Sequence, residues 1–186
     1  MANPRLFLVA PDALSTDHLV SCAAAACAAG DVASIVVPSS TVPATAAKLQ
    51  SHGLAVLSLG AANPACDGIH LDAATADVAN ARARVGKNGF VGAYCAASRH
   101  TAMQAAEDGA DYIALSQNSY APKEPIIGWW ADLFEIPCVA FDPVEPKDLD
   151  ILLPQKPDFI RPGDAMWETP EEARRIVSAL TKRMNG

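Results

Sequence analysis

Short apolar segments alternate with amphipathic ones along most of the chain, a pattern that indicates alternating strands and helices. Eight apolar segments of four to six residues predict strands at 5–10, 33–37, 54–59, 68–71, 90–94, 111–116, 137–141 and 158–161. Between them, apolar residues spaced three and four apart predict helices near 17–29, 43–52, 76–85, 99–108, 125–135, 145–153 and 170–184. Only residues 60–67 separate the third and fourth strands, so we expect at most one turn of helix there.

Local signals fix the ends of several of these helices. Thr169 is followed by Pro170 and by two glutamates, which is the sequence of a capping box with proline at the first helical position. Ser98 is placed to cap the helix that ends at Gly109, and Gly30 is placed to end the first helix.

Strands that are apolar on both faces and alternate with helices are typical of a parallel sheet covered by helices. Eight such units predict an α/β fold, a compact single-domain (β/α)8 TIM barrel that spans residues 1–186. A doubly wound open sheet is the alternative fold.

Composition and charge argue against several classes of function and location. The formal charge is −7, which disfavours a nucleic-acid surface. No apolar run approaches the ~18 residues that a membrane span needs, and the N-terminal "RLFLVAP" is too short for a signal peptide, so we expect a cytoplasmic protein. The five cysteines form no C-x-x-C pair, and we expect buried, reduced thiols.

Two motifs carry a family resemblance: "DGIHLD" at 67–72, and "GFVGAYC" followed by "SRHTAMQAAEDGADYIAL". They resemble the thiamine phosphate synthase and TenI-type thiazole tautomerase superfamily, whose fourth strand reads G-v-H-L-G-Q-x-D. The resemblance is clearest over 68–116 and, with the strand order and the final helix, extends over the whole chain. It implies a TIM barrel that joins a pyrimidine diphosphate to a thiazole phosphate and releases magnesium-bound pyrophosphate.

The positions that serve this chemistry in the family are replaced here. Its second strand ends in Q-L-R-x-K, whereas residues 34–40 contain no Gln, Arg or Lys. The third strand should finish N-D-R but reads "LSLGAAN". The metal-ligand position after the fourth strand is Thr75, the fifth strand's Ser is Tyr94, and the tautomerase His is Ala96.

The phosphate-binding end differs most. A Gly-Gly after the seventh strand corresponds to Asp142 and Pro143, and the Ser after the eighth strand corresponds to Asp164. Proline has no N–H to donate, and the two carboxylates would repel a phosphate dianion. We expect Arg161 to pair with Asp164 or with Asp142. Lys123 matches the cationic residue of the family's loop after strand six.

The sequence therefore predicts a substrate-binding site at the carboxyl ends of the strands, which form the mouth of the barrel. It is built from Asp72, Tyr94, Lys123, Asp142, Arg161 and Asp164. Its surroundings include Asp12, Ser39, Cys95 and Gln117. Such a mouth suits a cationic or neutral small heterocycle, for example a thiamine precursor without phosphate. The alternative is that these are loop residues satisfied by solvent and by one another. No catalytic residue, metal ligand or cofactor is assigned, and Mg²⁺ is expected only where synthase chemistry is retained.

Other side chains admit two interpretations each. Cys95 is either a nucleophile with His100 as its base or, as we favour, a core thiol, since a cysteine nucleophile needs an activating neighbour. His70 lies in an apolar strand and is expected to be packed and hydrogen-bonded. Trp129 and Trp130 are expected to pack an amphipathic helix or to form an oligomer interface.

Three functions follow as hypotheses. The first is a divergent, thiamine phosphate synthase-like transferase that keeps magnesium through altered ligands such as Asp72. The second is a related barrel without orthodox synthase activity, which binds a small heterocycle as a carrier or sensor. The third is a partner protein that uses the face of Trp129 and Trp130.

Overall fold

The computed structural model describes residues 3–117 and 125–186, and it confirms the predicted TIM barrel. All eight predicted strands are present, each parallel to the next, and the last pairs with the first to close the barrel. The strands are β1 (Arg5–Val9), β2 (Val32–Pro38), β3 (Ala55–Leu59), β4 (Gly68–Asp72), β5 (Phe90–Tyr94), β6 (Tyr112–Leu115), β7 (Cys138–Val144) and β8 (Phe159–Pro162).

The helices lie outside the barrel, and their predicted positions are confirmed in the described ranges. They are α1 (Thr16–Cys27), α2 (Pro43–Gln50), α3 (Val78–Val85), α4 (Arg99–Glu107), α5 (Ile126–Leu133), α6 (Leu149–Leu152) and α7 (Pro170–Asn185). No helix separates β3 from β4, and α6 is a single turn flanked by 3₁₀ turns. Within these two ranges, none of the helices is long and apolar enough to cross a bilayer.

The caps predicted at Ser98 and Thr169 form, but the capping box is only half made, because the Glu172 carboxylate pairs with Arg175 and not with the Thr169 N–H. The Ser98 hydroxyl accepts the N–H of Thr101 at the start of α4, and the Thr169 hydroxyl accepts the N–H of Glu172 at the start of α7. These bonds satisfy donors that the first turn of a helix leaves unpaired. Small residues of α1, such as Ala23 and Ala26, are fully buried where α1 packs against α7.

The inside of the barrel is mainly aromatic. The Phe7 ring lies 5.5 Å from the Tyr112 ring, 6.0 Å from the His70 ring and 6.3 Å from the Phe141 ring. Gly92 makes room for this cluster, because a Cβ at that position would lie 1.9 Å from the Tyr112 ring. These side chains point away from the helix-facing core, and they form the floor beneath the carboxyl ends of the strands.

Aspartates link the strands in pairs at the opposite, N-terminal end. An aspartate precedes β4, β6 and β8, and its carboxylate accepts a backbone N–H near the start of the preceding strand: Asp67 from Val56 (2.8 Å), Asp111 from Val91 (2.7 Å) and Asp158 from Cys138 (2.8 Å). Asp31, which precedes β2, instead forms an ion pair with Arg5 of β1 at 2.9 Å. Four strand pairs are thus connected by the same residue type at the same position.

Candidate functional site at the barrel mouth

The carboxyl ends of the strands form the mouth of the barrel, and they carry most of the predicted binding residues. Asp72 and Tyr94 end β4 and β5 and are partners in the strand register. Asp142 lies in β7, Arg161 lies in β8, and Asp164 follows β8. Five of the six predicted residues therefore lie at one end of the barrel. The sixth, Lys123, lies outside the described residues.

Arg161 is paired with Asp164. One guanidinium nitrogen donates to the Asp164 carboxylate at 2.7 Å, and another lies 3.4 Å from the Phe141 carbonyl oxygen. The guanidinium carbon lies 5.2 Å from the centre of the Phe141 ring, which is the geometry of a cation–π contact. Of the two pairings expected from sequence, the structure shows the one with Asp164. This cation is partly neutralised before any ligand arrives.

Asp142 has a different partner. Its carboxylate accepts the backbone N–H of Gln117 at 2.7 Å. β7 continues to Val144, three residues beyond its predicted end, and the strand register shifts between Ala140 and Val144. Asp142 and Pro143 therefore belong to an irregular part of a strand. Val144 also accepts the N–H of Gly163 at 3.0 Å, so that donor is already used.

The polar residues that end β4 and follow it, in "GIHLDAATAD" at 68–77, have structural partners. The Asp72 carboxylate accepts the N–H of Ala74 at 3.0 Å, which forms an Asx-turn. The Thr75 hydroxyl lies 3.4 Å from the Asp72 carbonyl oxygen, and Asp77 caps α3 by accepting the N–H of Asn80 at 2.8 Å. Each side chain thus shapes the turn between β4 and α3.

These donors do not fit the Mg²⁺ that the resemblance implies. Mg²⁺ in proteins is bound through carboxylates in near-octahedral oxygen geometry. The family's ligand position is Thr75, whose hydroxyl faces the backbone of its own turn. Over 3–117 and 125–186, no three His, Cys, Asp or Glu side chains are close enough together to hold a metal ion.

The floor of the mouth is aromatic. The Tyr94 ring lies 4.9 Å from the Phe141 ring, and the Tyr94 hydroxyl lies 3.2 Å from the Ser116 hydroxyl. His70 stacks on the other aromatic groups, 5.2 Å from the Phe141 ring. Burial, reinforced by the Arg161 charge, lowers the pKa of His70 to about 4, so the imidazole is neutral at pH 7.

Cys95 lacks the surroundings of a nucleophile. It is buried, and its Sγ lies 3.6 Å from the Ala93 carbonyl oxygen. Burial, with a smaller effect of the Asp72 charge, raises the pKa of the Cys95 thiol to about 12. His100 is exposed on α4. The geometry agrees with the core-thiol interpretation.

The two tryptophans pack within the chain. Trp130 is fully buried, stacks on Phe134 at 4.1 Å and donates its indole N–H to the Ile136 carbonyl oxygen. Trp129 contacts Phe134 at 5.4 Å, and the Arg99 guanidinium lies over its ring. The helix-packing interpretation accounts for both, and Trp130 has no surface left for a partner.

A cavity of about 160 Å³ lies at this end between the loops that follow β1 and β2. Asp12, Ser40 and Thr41 are among its lining residues. The family has its Arg and Lys at the end of the second strand, which borders this cavity. Here the cavity lining offers hydroxyl groups and the Asp12 carboxylate instead.

Sequence reasoning did not identify Phe141 or Ser116 as part of the mouth. The available signal was the two-residue alternation of β7, which puts Phe141 on the same face as Val139, inside the barrel. Ser116 follows β6 directly, and its contact with Tyr94 depends on how β5 and β6 align.

Comparisons with known proteins agree with this architecture. The sequence model of the family described as thiamine monophosphate synthase matches residues 58–159. The chain is 33% identical over 136 residues to a thiamine-phosphate synthase of Rhodospirillum centenum, an alignment that covers 68% of this chain and 65% of that protein. It is 32% identical over 152 residues to one of Hyphomonas neptunium, covering 74% and 69%.

A solved structure has the same fold. The structure of a thiamine phosphate pyrophosphorylase from Pyrococcus furiosus superposes with a TM-score of 0.76 at 16% identity, covering 97% of this chain and 95% of that one. The chain spans less than two thirds of the length of the Rhodospirillum relative. The family match extends over more than half of the sequence. The chain therefore belongs to the thiamine monophosphate synthase family.

Proposed function

We propose that this chain binds a small neutral or cationic heterocycle at the barrel mouth and does not carry out the orthodox synthase reaction. The observation that carries this proposal is the charge of the mouth. Asp72, Asp142 and Asp164 lie at the strand ends, and Arg161 is already paired with the last of them. Asp12 adds a fourth carboxylate in the cavity beside β1.

A phosphorylated substrate would meet repulsion where the family provides a cradle. Unit charges ~4 Å apart interact by about 4 kcal/mol at an effective dielectric constant of ~20, and a phosphate dianion is affected more strongly. Pro143 supplies no N–H, and the N–H of Gly163 is bonded to Val144. The missing N–H donors and the added carboxylates both weaken the binding of a phosphate group.

The aromatic floor supports a planar ligand. Tyr94 and Phe141 are only partly buried below the mouth, and the Tyr94 hydroxyl offers one hydrogen-bonding group. A planar cation would gain both from stacking and from the carboxylates above it. An unphosphorylated precursor of thiamine is a planar heterocycle that gains the stacking and carries no phosphate to be repelled.

Isothermal titration of the purified full chain tests the proposal. The titrants are magnesium pyrophosphate, thiazole phosphate, and the unphosphorylated thiazole and pyrimidine precursors. We expect heat only from the unphosphorylated or cationic compounds. Tight, magnesium-dependent binding of pyrophosphate or of thiazole phosphate would overturn the proposal.

A competent but unorthodox synthase is the second candidate, because the curated relatives are thiamine-phosphate synthases. A product assay with both phosphorylated substrates and Mg²⁺ separates the two. Formation of thiamine phosphate by the wild-type chain, lost on substitution of Asp72 by Asn, would support this second function. No product, with binding of the unphosphorylated compound, supports the first.

A further inference from the structure

The N-terminal end of the barrel, opposite the mouth, contains a cavity of about 260 Å³. The rings of Phe7, Phe90, Tyr112 and Phe159 are among its walls. Phe7 and Tyr112 are buried, whereas Phe90 is 48% exposed at the rim. An aromatic-lined space thus opens at the end of the barrel that the proposed function does not use.

Small residues on two neighbouring strands create this space. Ser34 of β2 and Ala55 of β3 are partners in the strand register, and both line the cavity. The interior of a TIM barrel is usually filled by layers of bulky, branched side chains. A serine and an alanine side by side leave the lowest layer incomplete, and the space faces the aromatic rings of the other strands.

The cavity favours an uncharged ligand. Ala33 and Leu57 add apolar surface, and the Ser34 hydroxyl is a hydrogen-bonding group on the wall. The charged lining residues are paired with neighbours: Arg5 with Asp31 at 2.9 Å, and Asp111 with Arg82. Neither charge is left to attract an ion into the cavity.

We propose that this cavity is a second binding site, which takes a neutral aromatic molecule of one or two fused rings that carries one hydroxyl or amino group. Ligand pockets usually measure about 300–1,000 Å³, and 260 Å³ is just below that range. A cleft of about 540 Å³ lies beside the cavity and shares Arg5, Pro137 and Phe159 with it, which gives a ligand access from solvent. The site is independent of the function proposed for the mouth.

The first experiment uses 2-naphthol as the probe and the full chain with ¹³C-labelled alanine and leucine methyl groups. We expect 2-naphthol to shift the methyl resonances of Ala33, Ala55 and Leu57, which line the cavity. Ala74 and Ala97, which follow β4 and β5, report separately on any binding at the mouth. No shift up to the solubility limit of 2-naphthol, or shifts confined to Ala74 and Ala97, would overturn the proposal.

The second experiment fills the cavity. Ser34→Leu should weaken 2-naphthol binding about tenfold or more, because the added side chain occupies the space and removes the hydroxyl. Ala97→Leu adds the same kind of bulk at the mouth and should leave binding unchanged. Circular dichroism checks folding, and Ala55→Val replaces Ser34→Leu if the latter does not fold. A folded filling variant that binds 2-naphthol as the wild type does contradicts the proposal.

Discussion

The hydroxyl of Tyr112 lies 2.7 Å from Nδ1 of His70, and both side chains are buried inside the barrel. The two residues come from β4 and β6, which are not neighbours in the sheet. Their hydrogen bond therefore crosses the interior and joins strands on either side of β5.

Breaking this bond should destabilise the protein. Tyr112→Phe leaves Nδ1 of His70 without its partner, and a buried unpaired polar group costs about 1–3 kcal/mol of unfolding free energy. The double variant Tyr112→Phe/His70→Phe removes both polar groups and should lose less than the sum of the two single changes. Urea denaturation of all three variants measures this, and strictly additive losses would contradict the pairing.

His70 should also make stability depend on pH. Its folded pKa is about 4, below the ordinary value of 6.5, so between these values the unfolded chain binds more protons than the folded one. The contribution of His70 is complete above pH ~6.5 and decreases by about 3 kcal/mol as the pH falls to ~4. The unfolding free energy of wild type minus that of His70→Phe, measured at pH 7.5 and 4.5, isolates this change from the carboxylates. A difference that does not change with pH would refute it.

Gly92 should tolerate no side chain. A Cβ there would lie 1.9 Å from the Tyr112 ring, and any shift of that buried ring pulls its hydroxyl away from His70. Gly92→Ala should cost about 1–3 kcal/mol through overpacking and loss of the bond to His70.

The matched control is Gly128→Ala in α5, where the new Cβ would meet Gln155 at an ordinary 3.5 Å. Alanine favours a helix over glycine by about 1 kcal/mol, so this variant should gain stability. Thermal denaturation should show a lower melting temperature for Gly92→Ala and a higher one for Gly128→Ala, each relative to the wild type. Similar losses for both would show that the packing argument at Gly92 is wrong.

Asp164 should control the affinity of the mouth for anions. Asp164→Asn removes one negative charge and leaves the Arg161 guanidinium without its charged partner at 2.7 Å. Inorganic phosphate should then bind about tenfold more tightly than to the wild type, in a manner that weakens with salt. Asp132→Asn removes the same charge from a surface pair with Lys156 and serves as the control. Equal phosphate affinity for both variants and the wild type, measured by titration calorimetry, counts against the charge argument.

Cys95 should be inert to alkylation in the native protein. Burial holds the pKa of its thiol at about 12, so at pH 8 very little thiolate is present. Iodoacetamide followed by peptide mass spectrometry should label Cys66, which is partly exposed, before Cys95. Rapid labelling of Cys95 that depends on His100 would instead indicate a nucleophile.

The barrel can be predicted from the sequence because each strand and each helix leaves a local pattern of apolar and polar residues. The boundaries of α7 follow from Thr169 and Pro170, and the absence of a helix between β3 and β4 follows from the length of the connection. The predicted strands place Asp72 and Arg161 at strand ends, and the structure has them there.

What the sequence does not reveal is which polar groups meet. Asp142 bonds to the N–H of Gln117 rather than to Arg161, since β7 runs on to Val144 through an irregular stretch that no local pattern marks. The bond between His70 and Tyr112 depends on the alignment of three strands and spans 42 positions of sequence. Such pairings are set by the closed sheet as a whole.

The aspartates at the N-terminal end divide the barrel into four modules of two strands, β1–β2, β3–β4, β5–β6 and β7–β8. In each module one aspartate carboxylate links the two strands. A break in the chain between β4 and β5 leaves Asp67 with Val56 and Asp111 with Val91, so both halves keep every such bond intact. A break between β3 and β4 instead separates Asp67 from Val56. The natural seams of this molecule therefore fall after the even-numbered strands, where a chain can be cut, permuted or duplicated without dividing a module.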